Sequence, residues 1–432
     1  MKKIASYALG CKVNQYESEA IAELFAEKGY EVVSVDDAAD VYIINTCTVT
    51  NFGDKKSRQL IRKVKRQNEN AIVAVVGCYA QTAPEELAAV HGVNLVIGTK
   101  DKSKIVELVE DYQAEQGVQN YVTDIMHERV FEPLEIKKLA NRTRAYLKIQ
   151  DGCSQFCSYC IIPYARGPIR SRQPEDVIAE VKRLAENGFK EVVLTGIHVA
   201  SYGKDLKTIT LTDIIRQVHE VEGIERIRFS SIEPNVVTEE FAAAMAELPK
   251  VCDHFHLSLQ SGCDKTLKEM NRKYDTEKYR QAAALLRKYL PDVAITTDII
   301  VGFPGETEED YQASRAFAEE IGFSKIHVFP YSPKKGTPAA ARKDQLQNAV
   351  KQARSHDLIT VSDRMTDAFL QKHVGKVMPV LFERCIGDDV YEGHTTNYMK
   401  VHARSTKDLS NVIADTKILS MAEEMAFGEV EA

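Results

Sequence analysis

No apolar run in this 432-residue chain approaches the ~20 residues that span a bilayer. The nearest thing to a secretory leader is Lys2 and Lys3, then Ile4 to Gly10, then Cys11. That run is at the bottom of the length range for a signal core and contains Ser6 and Tyr7, so it reads as a first β-strand. The chain is therefore expected in the cytoplasm. A basic excess is also missing. Lys and Arg number 56 against 63 Asp and Glu, a net charge of −7, so bulk electrostatics do not announce a nucleic-acid binder and local patches must supply any such role. Nine cysteines in a reducing compartment form no disulfide framework and are left as metal ligands, catalytic thiols or core residues. With 44% apolar and 28% charged residues, the composition is that of a soluble globular protein, and the length suffices for two or three domains.

Hydrophobic patterning divides the chain. Residues 1 to about 115 alternate strand and helix: strands at Lys3–Leu9, Val41–Asn45, Ala71–Val76 and Asn94–Ile97, helices at Asn14–Lys28 and Asp54–Arg66. Short apolar runs between helical periods imply a doubly wound parallel sheet. Residues 116–140 are polar and read as a connector. Strands follow at Ala145–Ile149, Glu191–Leu194, Arg226–Ser230, His254–Leu259, Ala294–Val301 and Lys325–Pro330, with helices between them. Six such units over 141–370 predict a partial (β/α) barrel, short of the closed eight. From 371 to 432 strand-like pieces succeed one another without helices: Val377–Phe382, Val390–His394, Met399–His402, Asn411–Ile413 and Lys417–Ser420. They predict a small all-β barrel. The fold class is thus α/β with a β module at its end.

The strongest chemical signal is Cys153-Ser-Gln-Phe-Cys157-Ser-Tyr-Cys160, directly after the first barrel strand. Active sites of such barrels lie at that C-terminal mouth. Three thiolates this close can hold three irons of a [4Fe–4S] cube and leave the fourth open. Zinc is the competing metal, but structural zinc asks for four protein ligands. Cys-x3-Cys-x2-Cys with Tyr159 before the last cysteine resembles the signature of the radical S-adenosylmethionine superfamily. The resemblance implies that the open iron chelates the cofactor's methionine end, and that one electron splits the sulfonium to a 5′-deoxyadenosyl radical.

Cys11, Cys47 and Cys78 each fall just past a predicted parallel strand. In a doubly wound sheet those ends form one ligand-binding edge. Each alone reads equally as a small buried hydrophobe; together they suggest a second cluster. The chain resembles the methylthiotransferase family over nearly its whole length, through Gly10-Cys11-Lys12-Val13-Asn14, Asn45-Thr46-Cys47, Gly77-Cys78, Gln150-Asp151-Gly152-Cys153, Pro163-Tyr164-Ala165-Arg166-Gly167, Leu259-Gln260-Ser261-Gly262 and Val301-Gly302-Phe303-Pro304-Gly305-Glu306-Thr307. The family implies an auxiliary [4Fe–4S] cluster on Cys11, Cys47 and Cys78 that holds the sulfur to be transferred. It further implies S-adenosylmethionine as cofactor and a tRNA substrate, with a flavodoxin- or ferredoxin-like electron donor as the expected partner. Ser258 and Cys263 depart from the usual pattern, and Cys252, Cys263 and Cys385 read as structural.

By the same resemblance Tyr159, Gly196, Ser231, Glu233, Gln260, Asp298, Gly302 and Phe303 are expected to bind the cofactor, while a turn or cap role is the plain alternative for each. RNA contact is assigned to the basic helix through Lys55, Arg58, Arg62, Lys65 and Arg66, on which Arg58, Arg62 and either Lys65 or Arg66 share a face, and to the run Lys137, Lys138, Arg142, Arg144 and Lys148 that leads into the cysteine loop. A solvated helix face is the competing reading. The terminal module resembles a TRAM domain, although residues 371–432 carry 7 Lys and Arg against 10 Asp and Glu. Thr46-Cys47-Thr48-Val49-Thr50, Thr195-Gly196-Ile197-His198 and the Arg-rich Asp54–Arg66 resemble the branch acting on threonylcarbamoyladenosine in tRNA, and Lys334-Lys335-Gly336-Thr337-Pro338-Ala339 agrees. Isopentenyladenosine in tRNA and an aspartate of a ribosomal protein are the alternative substrates. A non-catalytic iron–sulfur RNA-binding or redox-sensing protein is the alternative of another class.

Overall fold

The computed structural model describes residues 1–49, 51–136, 143–422 and 424–431, with the side chain of Asn51 left aside. Lys137, Lys138 and Arg142 lie outside the described residues. Lys3–Ala8 (β1), Glu31–Val32 (β2), Val41–Thr46 (β3), Ile72–Gly77 (β4), Leu95–Val96 (β5) and Gln119–Asn120 (β6) form one parallel sheet in the order β2-β1-β3-β4-β5-β6. Every residue of β3 is buried, as expected of a parallel strand covered on both faces. Lys12–Glu27 (α1) sends Ile21 and Phe25 against one face. Asn51–Gln67 (α2) sends Ile61 and Val64 against the other. β6 falls in the stretch read as connector and extends the sheet by two residues.

Arg144–Asp151 (β7), Arg170–Ser171 (β8), Glu191–Gly196 (β9), Arg226–Phe229 (β10), His254–His256 (β11), Ala294–Val301 (β12) and Lys325–Pro330 (β13) build the centre. β10-β9-β7 and β11-β12-β13 are parallel, and single bridges Ile227–Val251 and Ile232–Leu257 join the halves into an open six-stranded arc. The expected partial barrel is what forms. β8, a two-residue antiparallel strip on β7, was below the resolution of any periodicity. Tyr16 and Ala20 of α1 enter the barrel core, so this helix is sandwiched between sheet and barrel. The terminal strands Val377–Gly387 (β14), Val390–Thr395 (β15), Lys400–Arg404 (β16), Val412–Ala422 (β17) and Met425–Val430 (β18) close in the order β14-β15-β16-β18-β17. Two differences from the sequence reading matter. The two pieces around Asn411–Ser420 are one strand, irregular between Ile418 and Ser420. Closure depends on β18, which the sequence reading did not foresee; it pairs parallel to β16.

Candidate active site

β7 ends at Asp151, and the chain turns through Gly152 at φ +73°, where an added Cβ would sit 1.8 Å from the Pro168 carbonyl oxygen. Only glycine fits there. Cys153 N–H donates to Gly167 O at 3.0 Å and Ser158 N–H to Met270 O at 3.0 Å. Asn271 Nδ2 donates to Phe156 O at 2.8 Å, so the loop is pinned on both sides. Its thiols open into a cavity of about 1030 Å³, lined also by Gly10, Cys11 and Lys12 from the first lobe and by His394 to Lys400 residues of the terminal barrel. Burial pushes Cys153 up to about 11 and Cys160 up to about 12. A metal must displace those protons on binding, which couples loading to pH.

At the sheet edge, Gly10 lies at φ +92°, and a Cβ there would be 2.5 Å from Cys47 Sγ. The end of β1 is thereby pressed against the end of β3. Asn14 Nδ2 donates to Leu9 O at 2.7 Å and Thr46 O at 3.0 Å, tying the two ends together. Burial raises Cys11, and raises Cys47 to about 12, with the Cys78 thiol adding to both. The three thiols are thus electrostatic neighbours. Among the described residues no three ligand side chains converge on a single-ion site; thiolates at corners of a four-iron cube stand farther apart than thiolates around one ion.

Each triad receives one guanidinium. Arg166 Nε donates to Cys78 Sγ at 3.2 Å, and Arg272 Nη1 donates to Cys157 Sγ at 3.2 Å. Such donors stabilise a thiolate and orient it. Arg166 is fully buried and ion-paired to Glu17 at 2.6 Å and Asp151 at 3.3 Å. Lys148 bridges the same two carboxylates at 2.7 and 2.6 Å, and Lys102 reaches Glu17 at 3.3 Å. Burial alone would raise Glu17; the three cations overcome it and hold it far below the usual carboxylate range. Arg272 is held by Glu233 at 2.9 Å, which also lies 3.3 Å from His198 Nε2. Burial opposes ionisation of Glu233, but His198 and Arg272 lower its pKa nonetheless. His256 Nε2 likewise lies 3.4 Å from Asp298, and both histidines and both carboxylates line the cavity. Six thiols, two guanidinium donors and these histidine–carboxylate pairs fit iron–sulfur clusters and a polar cofactor.

Of the residues expected at the cofactor, Tyr159, Gly196, Ser231, Glu233 and Asp298 line the cavity. Gln260, Gly302 and Phe303 do not. Gln260 has φ +73° and bridges to Ile299 through its backbone. Gly302 N–H donates to Glu306 Oε2 at 2.7 Å. Phe303 is fully buried in a small cluster with Met270, Tyr331 and Ala339, against which Tyr159 packs. Strand-end position marks an edge but not the direction of a side chain.

The basic helix is also redistributed. Its buried stripe is Asp54, Ser57, Ile61 and Val64. Arg58 leans over this flank to Tyr79 and Glu86, paired to the latter at 2.9 Å. Lys65 donates to the carbonyls of Glu69 and Ala71. The expected shared face of Arg58, Arg62 and Lys65 or Arg66 is therefore replaced by an exposed row of Lys55, Arg62 and Arg66, flanked by Lys56 and Lys63. Lys56, Arg62, Lys63 and Arg66 line a surface groove of about 1230 Å³. Arg144 is turned inward, paired to Glu191 at 2.8 Å and Glu383 at 2.6 Å. Arg272 and Glu17 were not singled out by the sequence reading; Arg166 carried a signal inside its motif, and Lys148, read as part of the basic run before the cysteine loop, is turned inward to Glu17 and Asp151.

Residues 147–318 match the Radical SAM superfamily, and residues 3–98 match Uncharacterized protein family UPF0004. The chain is 45% identical over 424 residues to the Threonylcarbamoyladenosine tRNA methylthiotransferase MtaB of Bacillus subtilis (strain 168), covering 97% of this chain and 94% of that protein. It is 38% identical over 420 residues to the tRNA-2-methylthio-N(6)-dimethylallyladenosine synthase of Thermoanaerobacter sp. (strain X514), covering 95% and 88%. Among solved structures, the radical S-adenosylmethionine methyltransferase TsrM of Kitasatospora setae shares the fold, with a TM-score of 0.58 at 16% identity over 79% of this chain and 77% of that one. The open barrel with its three-cysteine mouth loop defines a radical S-adenosylmethionine enzyme, with a [4Fe–4S] cluster and S-adenosylmethionine as its cofactors. Within that class, the chain belongs to the methylthiotransferase family.

Proposed function

We propose that this enzyme converts N6-threonylcarbamoyladenosine beside the anticodon of tRNA to its 2-methylthio derivative, in the cytoplasm. The observation that carries the reading is the single cavity on which Cys11, the Cys153 loop and the terminal barrel all open. It offers one shared, partly open place for a sulfur donor, a radical source and an RNA base. In this reading Cys153, Cys157 and Cys160 hold one cluster, Cys11, Cys47 and Cys78 a second, and the cavity-lining Tyr159, Gly196, Ser231, Glu233 and Asp298 receive the cofactor. When bound, these groups supply the electron that cleaves S-adenosylmethionine and the sulfur that is transferred.

The chain's own residues do the rest. Arg272 and Arg166 orient one thiolate in each triad, and Glu233 fixes Arg272. Phe229, Phe329 and Phe369 give the cavity wall an apolar surface. The functional units are residues 1–115, a connector 116–140, a radical domain 141–370 and a TRAM-like barrel 371–432 that grips tRNA alongside the row Lys55, Arg62 and Arg66. A flavodoxin- or ferredoxin-like protein delivers the electron. Relatives bearing the threonylcarbamoyladenosine name reach 45% identity and those bearing the dimethylallyladenosine name 38%, which favours the first substrate. The test is mass spectrometry of tRNA nucleosides from a deletion strain. Threonylcarbamoyladenosine should accumulate while its methylthio derivative vanishes; loss of methylthio-isopentenyladenosine instead would refute the assignment.

A further inference from the structure

Among the described residues, the cavity lining holds one lysine or arginine that makes no ion pair. Its basic lining residues are Lys12, Arg228, Arg272, Lys325 and Lys400. Arg228 is paired to Glu191 at 3.0 Å, Arg272 to Glu233 at 2.9 Å, Lys325 to Asp363 at 3.3 Å and Lys400 to Glu392 at 3.3 Å. Lys12 makes no ion pair among the described residues; its Nζ stands 5.9 Å from the centre of the Tyr146 ring. The charged groups that act on it most strongly are the guanidiniums of Arg228 and Arg144, which repel it. The one carboxylate near enough to count, Glu191, is already engaged by both arginines, at 3.0 and 2.8 Å. Lys12 is the first residue of α1, one position past Cys11, and its side chain reaches from that edge of the cavity towards Tyr146 of β7.

Lys12 is exposed to the cavity, and an ammonium without a counter-charge on a concave wall draws an anion to it. Substrate bases differ in the group they bring. A threonylcarbamoyl substituent carries a carboxylate; an isopentenyl substituent is a neutral branched alkyl. We propose that Lys12 binds the carboxylate of the substrate base and is a specificity-determining residue, an inference that rests on the tRNA-modification reading above. A hydrogen bond to a charged group is worth about 1.5–3 kcal/mol, which sets its effect on kcat/KM at roughly ten- to a hundredfold.

The experiment compares two anticodon stem-loop RNAs that differ at one atom group: threonylcarbamoyladenosine with its free carboxylate, and the same base with that carboxylate methyl-esterified. Anaerobically reconstituted full-length protein is assayed at equal iron content for wild type, Lys12→Gln and Lys12→Arg. Wild type should prefer the free acid by about ten- to a hundredfold in kcat/KM. Lys12→Gln should bring the ratio close to one, and Lys12→Arg should restore most of it. If Lys12 instead balances a cluster or an RNA phosphate, Lys12→Gln slows both RNAs alike and leaves the ratio intact, which overturns the proposal. Equal use of both RNAs by wild type overturns it as well. Wild type that modifies neither RNA but modifies an isopentenyladenosine stem-loop overturns the functional reading itself, a result distinct from the other two.

Discussion

Glu17 is the carboxylate on which the junction between sheet and barrel turns. It is fully buried, with Arg166 at 2.6 Å, Lys148 at 2.7 Å and Lys102 at 3.3 Å. Replacing it by glutamine preserves shape and removes the charge, leaving Lys102 with Glu132 at 3.6 Å and the other two cations with Asp151, which Arg170 also shares. Removing one partner from a buried ionic network costs about 3–5 kcal/mol, since the remaining charges stay desolvated. With a urea m-value of about 3 kcal/mol/M, the unfolding midpoint should fall by roughly 1–2 M. The chain has 18 tyrosines and no tryptophan, so tyrosine fluorescence and far-UV circular dichroism report the transition. Glu115→Gln, on an exposed residue, is the control. The pH arm carries a sign. Glu17 is held below its ordinary pKa, so its stabilisation is complete above the ordinary carboxylate range and is lost on acidification. The gap between wild type and Glu17→Gln should therefore narrow as pH falls below about 4. A midpoint shift within about 0.3 M of the control at pH 7, against an expected roughly 1–2 M, would refute the assignment of this cluster as the clamp.

Reconstituted wild type should bind about eight irons per chain, and the triple variant Cys153→Ala, Cys157→Ala and Cys160→Ala about four, two [4Fe–4S] clusters becoming one; full activity with four irons in wild type would count against the second cluster. Cys157→Ala should abolish 5′-deoxyadenosine formation, whereas Cys47→Ala should still cleave the cofactor and yield no methylthio product; wild-type product from Cys47→Ala would show the auxiliary site misassigned. Changing Lys55, Arg62 and Arg66 together to Glu should weaken tRNA binding and reduce the slope of log affinity against log salt by about 2–3, with unchanged slope meaning a merely solvated face. Glu191, held at about 2 between Arg144 and Arg228, stabilises the barrel seam above its ordinary value of 4.5 and ceases to as pH falls towards 2; small-angle scattering should show the terminal barrel loosening over that window, and in Glu191→Gln already at neutral pH.

Long apolar strands were legible to the residue: Ala294–Val301 and Lys325–Pro330 form as their patterns predict. β2, β5, β6 and β8 have two residues each, too few for a period, and exist because neighbours offer them backbone partners. The cysteine positions were legible because chemistry at a parallel edge falls just after strands. Their charged supports were not. Arg272 reaches Cys157 from 115 residues away and Arg166 reaches Cys78 across 88, and no local pattern encodes such contacts. Arg58 was legible as a cation but not as a partner of Glu86, because helical spacing gives a face without saying what stands opposite it.

Two buried ionic seams flank the cavity, and their placement accounts for how separate lobes keep a common site. On one side Glu17, from the helix that follows Cys11, binds Lys148 of β7 and Arg166 beyond the Cys153 loop. On the other, Arg144 of β7 and Arg228 of β10 share Glu191 while reaching Glu383, Thr395 and Thr396 of the terminal barrel. Arg226 adds bonds to the carbonyls of Pro379 and His394, both at 2.8 Å. Apolar contact alone tolerates sliding, because hydrophobic attraction has no direction. Charge-assisted bonds between guanidinium and carboxylate or carbonyl are directional and fix register. β7 takes part in both seams, through Lys148 and Asp151 on one and Arg144 on the other. One strand thereby references the Cys11 edge of the sheet, the Cys153 loop at its own end and the terminal barrel to each other. A shift in either seam would change the distance between the two cysteine triads or the opening through which a base must enter, so the desolvation cost of these charges is offset by the geometric definition that the chemistry requires.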